Sequence, residues 1–267
     1  MGNCLMELIN INGQNIHYRY IENLEVRNFL FLNPLGSDFR IWDEILPYVN
    51  DYANVILYDK RGHGLSDFSQ PVNGLFDYAE DAYALLEKLS IQKATVIGLS
   101  VGGQIAAILA SKHPELVDKL VLCDTAQKIG TAQTWNQRIE TVRHTGLQSI
   151  SADIMKRWFS SGFHDESPQK VAGYKNMLER SFPDAYIRTC EFIRDTDLSD
   201  LVQALNLSVL CIVGDGDLST TPAEVETMAR LIKGANFQII EGSGHIPCVD
   251  NPRKFVKLII DFINQEK

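Results

Sequence analysis

The chain has 267 residues, 45% hydrophobic and 22% charged, a size and balance suited to one globular α/β domain carrying an inserted segment. Its net charge of −9 argues against nucleic acid or an anionic membrane as a partner, and an acidic small-molecule substrate would need a local cation. The five cysteines (Cys4, Cys123, Cys190, Cys211 and Cys248) are odd in number and lack C-x-x-C spacing, so they read as reduced thiols of a cytoplasmic protein rather than as a disulfide framework.

The N-terminal MGNCLMEL has no basic stretch leading into a long apolar run, so no signal peptide is expected. Met6, where Ser or Thr would be needed, discounts Gly2 as a myristoylation site. Strand-like runs follow at Glu7 to Ile11 and Ile16 to Tyr20, and their separation by Asn12 to Asn15 predicts an antiparallel hairpin. Further strands are predicted at Asn28 to Leu32, Asn54 to Tyr58, Ala94 to Leu99, Lys119 to Cys123, Ser208 to Val213 and Phe237 to Ile240. Between and after them, Phe39 to Val49, Phe76 to Leu89, Val101 to Lys112, Pro222 to Ile232 and Pro252 to Ile263 carry apolar residues at helical spacing. Such alternation predicts an eight-stranded, mostly parallel sheet with helices on both faces. Residues 126–205 break the pattern with helical spacing, Trp135, Trp158 and no strand. They are expected to form a helical cap between the sixth and seventh strands, over the edge where ligands bind, with 1–125 and 206–267 as the core.

Chemistry concentrates at Gly98-Leu99-Ser100-Val101-Gly102, where a buried strand turns directly into a helix. G-x-S-x-G recurs by chance, but this placement is that of the nucleophile elbow of an α/β-hydrolase, with Ser100 at the bend. A serine nucleophile needs a base, and the base an orienting acid. His245 follows the last strand in Glu241-Gly242-Ser243-Gly244-His245 and is the expected base; His17, His63, His113, His144 and His164 have structural explanations within a strand, a turn, a helix end and the cap. Asp217 follows the seventh strand, which completes the chain order Ser, Asp, His of this fold, with Asp215 and Asp124 as alternatives for the acid. The oxyanion hole needs two backbone N–H groups. Val101, after the nucleophile, supplies one, and the loop Asn33-Pro34-Leu35-Gly36 the other through Leu35, because Pro34 has no N–H. There is no H-E-x-x-H, no Cys/His cluster, no acidic calcium loop and no complete dinucleotide fingerprint, so neither metal nor cofactor is expected.

Beyond these elements the chain resembles the 3-oxoadipate enol-lactonases of bacterial aromatic degradation nearly end to end. The segments that carry the resemblance are NPLGSDFRIWD (33–43), YDKRGHGLSD (58–67), GLSVGGQIA (98–106), DTAQKIGTAQTWNQRI (124–139) and GHIPCVDNP (244–252). The elbow and the RGHG turn are shared by many α/β-hydrolases, whereas K-I-G-T…W-x-x-R-I and the N-x-L-G loop are more specific; Pro34 departs from the usual Ser. The resemblance implies hydrolysis of 3-oxoadipate enol-lactone through a Ser100 acyl-enzyme. The substrate's free carboxylate then needs a cation. Arg138 is the candidate, with Trp135 one helical turn earlier walling the ring, and Lys128, Arg157 and Arg194 are weaker alternatives. Another small ester, or a carbon–carbon bond beside a carbonyl, is the alternative substrate class. A non-catalytic receptor on the same scaffold is the reading from another class.

Overall fold

A computed structural model describes residues 6–23, 27–69 and 71–265, so Gly2 and Cys4 lie outside the described residues. The first strands, β1 (Glu7–Ile11) and β2 (Gln14–Ile21), form the antiparallel hairpin. Its turn is tighter than the predicted Asn12 to Asn15. Asn12 and Gly13 both have positive φ, 49° and 81°, the mirror-image turn that suits Asn-Gly and matches the twist of two strands joined by two residues. β2 therefore starts at Gln14, opposite Ile11.

The remaining strands are β3 (Asn28–Leu32), β4 (Asn54–Tyr58), β5 (Ala94–Leu99), β6 (Val117–Cys123), β7 (Ser208–Gly214) and β8 (Asn236–Ile240). The sheet has eight strands in the order β1-β2-β4-β3-β5-β6-β7-β8. β2 runs antiparallel to both neighbours, and β3 to β8 are mutually parallel. Every residue of β4 and β5 is buried. Successive side chains of a strand point to opposite faces, so both faces of the sheet are covered there.

The predicted helix at Phe39 to Val49 is a 3-10 helix (Phe39–Ile45) followed by a short α1 (Leu46–Val49). Pro47 cannot donate to the Asp43 carbonyl in α-helical fashion, and the Leu46 N–H takes that acceptor instead. The other core helices are α2 (Leu75–Lys88) and α3 (Val101–Lys112), the latter packed on β3, β5 and β6. Between β6 and β7 the chain forms α4 (Ala132–Thr145), α5 (Gln148–Trp158), α6 (Ser161–Glu166), α7 (Pro168–Glu179), α8 (Pro183–Asp195) and α9 (Ser199–Gln203). α8 packs on both α4 and α2, where Tyr78 and Thr189 share a buried hydroxyl–hydroxyl bond of 3.1 Å. After β7 come α10 (Pro222–Leu231), α11 (Pro247–Asp250) and α12 (Pro252–Ile263), which buries Phe255, Val256, Ile259, Phe262 and Ile263. Among the described residues no helix is long and apolar enough to cross a membrane.

The parallel run from β3 to β8 has one consequence for function. The loops that leave β3, β4, β5, β6, β7 and β8 all emerge along the same edge of the sheet.

Candidate active site

Ser100 sits between β5 and α3 with φ 57° and ψ −124°, a conformation that a side chain makes costly and that neighbouring bonds must hold. Its N–H donates to the Cys123 carbonyl at 2.9 Å, and its carbonyl accepts from Thr125 Oγ1 at 2.7 Å and the Gly103 N–H at 2.8 Å. The flanking glycines are required by space. A Cβ on Gly102 would overlap the Leu32 carbonyl oxygen, and one on Gly98 would overlap the Gly102 carbonyl. Val101 opens α3, so its N–H has no acceptor within the helix and lies at the positive end of the helix dipole.

The loop after β8 carries His245. Asp215 caps this loop, its Oδ1 accepting from the N–H groups of Gly242 (2.8 Å) and Ser243 (3.3 Å). That is a turn-forming role, and Asp215 is not the carboxylate that meets the imidazole. Asp217 is: His245 Nδ1 donates to its Oδ2 at 2.7 Å. The same oxygen accepts from Thr220 Oγ1 at 2.8 Å, and Oδ1 accepts from the Ser219 and Thr220 N–H groups at 2.7 and 3.2 Å. Burial alone would raise the Asp217 carboxyl; attraction to His245 and this set of donors outweigh it and hold the group below the usual carboxylate range.

Asp124, the other alternative, stands next to this pair. It is fully buried, its Oδ1 accepts the Gly214 N–H at 2.9 Å, and its Oδ2 has no protein donor. Burial first, and repulsion from Asp217 second, push its carboxyl well above the usual range, opposite to the shift of Asp217. Asp124, Asp217 and His245 bring ligand atoms within 4.8 Å of one another. With the Asp124 carboxyl pushed toward its neutral form and His245 Nδ1 already bonded to Asp217, the trio is a poor ligand set for a cation.

Ser100 and His245 open on the same cavity of about 210 Å³, together with Pro34, Leu35, Trp135 and Arg138. Trp135 comes from α4 and is held by a bond from its Nε1 to the Ile129 carbonyl. The Arg138 guanidinium lies 4.8 Å above its ring. Among the described residues Arg138 has no carboxylate within ion-pair distance. Arg157 also lines the cavity but donates to the Leu218 carbonyl at 3.0 Å. Lys128 and Arg194 are engaged elsewhere, with Asp197 at 3.4 Å and Asp195 at 2.7 Å. A larger cleft of about 710 Å³ lies beside α7 and holds the ion pairs Arg40–Asp38 and Lys170–Glu44, but neither Ser100 nor His245 reaches it.

Four contributors escaped sequence reasoning. Thr125 bonds the elbow carbonyl and Thr220 the acid, as above. Asp250 Oδ2 accepts both the Gly244 N–H (2.7 Å) and the Ser160 N–H (3.0 Å), tying the His245 loop to the end of α5. Lys60 lies beneath the Asn33–Gly36 loop. The only signal for Thr125 and Lys60 was position just after a strand end, which many inert residues share, and Thr220 and Asp250 lie farther along the chain from theirs.

Fold and site together define the class of the protein, an α/β-hydrolase. The family described as "alpha/beta hydrolase fold" matches residues 27–252. The chain is 34% identical over 226 residues to 3-oxoadipate enol-lactonase 2 of Acinetobacter baylyi, covering 85% of this chain and 84% of the relative. It is 29% identical to 3-oxoadipate enol-lactonase 1 of the same organism, covering 88% and 87%. The crystal structure of the enol-lactonase from Burkholderia xenovorans LB400 superimposes with a TM-score of 0.93 at 27% identity, covering 97% of this chain and all of that one. The chain belongs to the 3-oxoadipate enol-lactonase family of the α/β-hydrolases, and it is an ester-hydrolysing enzyme.

Proposed function

We propose that the enzyme opens the ring of 3-oxoadipate enol-lactone to give 3-oxoadipate, in bacterial breakdown of aromatic compounds by the protocatechuate or catechol route. The observation that carries this reading is a small cavity holding a serine hydroxyl, an imidazole and a guanidinium with no carboxylate partner among the described residues, in a chain 34% identical to a 3-oxoadipate enol-lactonase.

Ser100 Oγ attacks the ring carbonyl as His245 takes its proton, and the Leu35 and Val101 N–H groups hold the oxyanion. Collapse breaks the ring C–O bond. The enolate oxygen leaves, takes the proton from His245 and tautomerises to the ketone. Water, deprotonated by His245, then releases the acyl group as a carboxylate. Asp217 stabilises the imidazolium in both steps and fixes its tautomer. Residues 126–205 serve as a cap that excludes solvent from the cavity and presents Trp135 and Arg138 to the substrate. A cytoplasmic location fits the buried free thiols Cys123, Cys190, Cys211 and Cys248.

The direct test is loss of the enol-lactone's ultraviolet absorbance, with a simple butyrate ester for comparison; turnover of the butyrate but not of the lactone would move the assignment to another small ester. Arg138→Ala separates recognition from chemistry. It is expected to lower kcat/KM for the anionic lactone by roughly 10–100-fold, the worth of a charge-assisted hydrogen bond, while barely changing hydrolysis of a neutral phenyl ester. Equal losses on both substrates would make Arg138 a structural residue.

A further inference from the structure

Lys60 is a lysine where an α/β-hydrolase core has little reason to keep a charge. It follows β4 by two residues and is only 3% exposed. β4 and β3 are neighbours in the sheet, so the turn that carries Lys60 lies alongside the Asn33–Gly36 loop that leaves β3. Lys60 Nζ donates to the Pro34 carbonyl at 2.8 Å and approaches the Asn33 carbonyl at 3.4 Å. Ser37 Oγ donates to the same Pro34 oxygen at 3.1 Å. One carbonyl thus accepts two side-chain donors, one of them a buried amine.

The peptide unit concerned joins Pro34 to Leu35. It is planar and trans, so its C=O and its N–H point in opposite directions. With the carbonyl turned down to Lys60, the Leu35 N–H is turned the other way, and Pro34 and Leu35 both line the cavity that Ser100 and His245 share. We infer that Lys60 is a positioning residue for the oxyanion hole, fixing the orientation of the Pro34–Leu35 peptide and polarising it so that the Leu35 N–H is a stronger donor to the developing alkoxide. Donation to a peptide oxygen withdraws electron density through the amide and strengthens the bond its N–H can make, and the low dielectric of the interior enlarges the effect. The arrangement is built before substrate arrives, which is the condition for stabilising a transition state without reorganisation.

The surroundings of Lys60 support the same role. Asp59 and Asp38 are the carboxylates that face it and favour its charge; His63, in the following turn, is buried and held well below the usual imidazole range, by burial first and the nearby lysine second. Asp59 is itself occupied, by His17 Nδ1 at 2.7 Å and by the N–H groups of Phe39 (2.7 Å) and Leu65 (3.1 Å). Among the described residues Lys60 therefore has no close ion pair, and its hydrogen bonds go to the loop carbonyls. Burial lowers its pKa to about 7, yet both the ammonium and the amine carry N–H groups and can donate to Pro34.

The inference rests on the proposed hydrolytic reading and on Leu35 as an oxyanion donor. It is tested with Lys60→Met, which removes the donor, and Lys60→Gln, which keeps an N–H without the charge and guards against a methionine variant that does not fold. In folded protein, Lys60→Met is expected to lower kcat about 10-fold, part of the roughly 100-fold that follows outright loss of an oxyanion donor, with KM unchanged. Lys60→Gln should recover part of the loss. A boronic acid that forms a tetrahedral adduct at Ser100 should bind Lys60→Met more weakly in the same proportion as kcat falls, a coupling that loosened packing would not produce. Unchanged kcat and boronate affinity in either folded variant, with Ser100→Ala inactive, would overturn the role of Lys60 and leave the hydrolase reading standing. Activity surviving in Ser100→Ala would overturn that reading itself.

Discussion

Ser100→Ala is expected to reduce lactone hydrolysis by on the order of 10⁶-fold, because under the proposed mechanism the variant loses the nucleophile and with it the purpose of the base and the acid. The fold should survive the change. None of the bonds that hold the elbow passes through the hydroxyl: the Ser100 N–H is taken by Cys123, and its carbonyl by Thr125 and Gly103. Alanine at φ 57° carries much the same backbone penalty as serine, so the strain is inherited rather than added. Near-ultraviolet circular dichroism and a denaturant midpoint close to wild type would establish the intact fold, and a fluorophosphonate probe should label wild type but not the variant. Hydrolysis within about tenfold of wild type in a folded variant would remove Ser100 from the reaction, since triad deletions leave far less.

Asp217→Asn should be nearly as damaging, at about 10⁴-fold in kcat, although it removes no reacting atom. The carboxylate accepts from His245 Nδ1, which in the proposed mechanism leaves Nε2 free to take the serine proton. An asparagine can turn its NH₂ toward Nδ1 and favour the other tautomer, which presents a protonated nitrogen to Ser100. The ring also loses the charge that stabilises the imidazolium. Asp124→Asn supplies the internal control. Burial and the neighbouring Asp217 favour the neutral form of Asp124, so an amide is a close substitute in shape, and its oxygen can still accept the Gly214 N–H. A small effect at Asp124 beside a large one at Asp217 fits this division of labour. A large effect at Asp124 with a small one at Asp217 would reassign the acid.

The sheet was legible because parallel strands covered on both faces must read as short apolar runs, and β3, β4 and β5 begin and end where those runs do. The helix starts of α10 and α12 were legible for a local reason as well. Thr221-Pro222 with Glu224, and Asn251-Pro252, satisfy exposed N–H groups from within four residues of chain, and both caps are formed. Where a boundary depended on turn or hydrogen-bond geometry, reading it from the sequence was less successful. The hairpin turn closed over two residues rather than four, and Pro47 divided one expected helix into a 3-10 segment and a short α-helix.

Spacing along the chain alone determined that a serine lies at a strand-to-helix bend, and that an aspartate and a histidine follow the seventh and eighth strands in that order. These are properties of adjacent residues, and adjacency is what a sequence records. Which of three aspartates meets the imidazole was decided only by the tertiary structure, because Asp124, Asp215 and Asp217 all lie at or just after strand ends and differ only in their neighbours: a turn to cap for Asp215, the Gly214 N–H and the Asp217 carboxylate for the buried Asp124, and an imidazole with three further donors for Asp217. The same holds for Lys60. A lysine in a sequence reads as a solvated charge, and only the pairing of β3 with β4 brings it beneath a peptide 26 residues away. Charge state and hydrogen-bond partner are set by burial and through-space contact, and both come into being only when distant segments pack together.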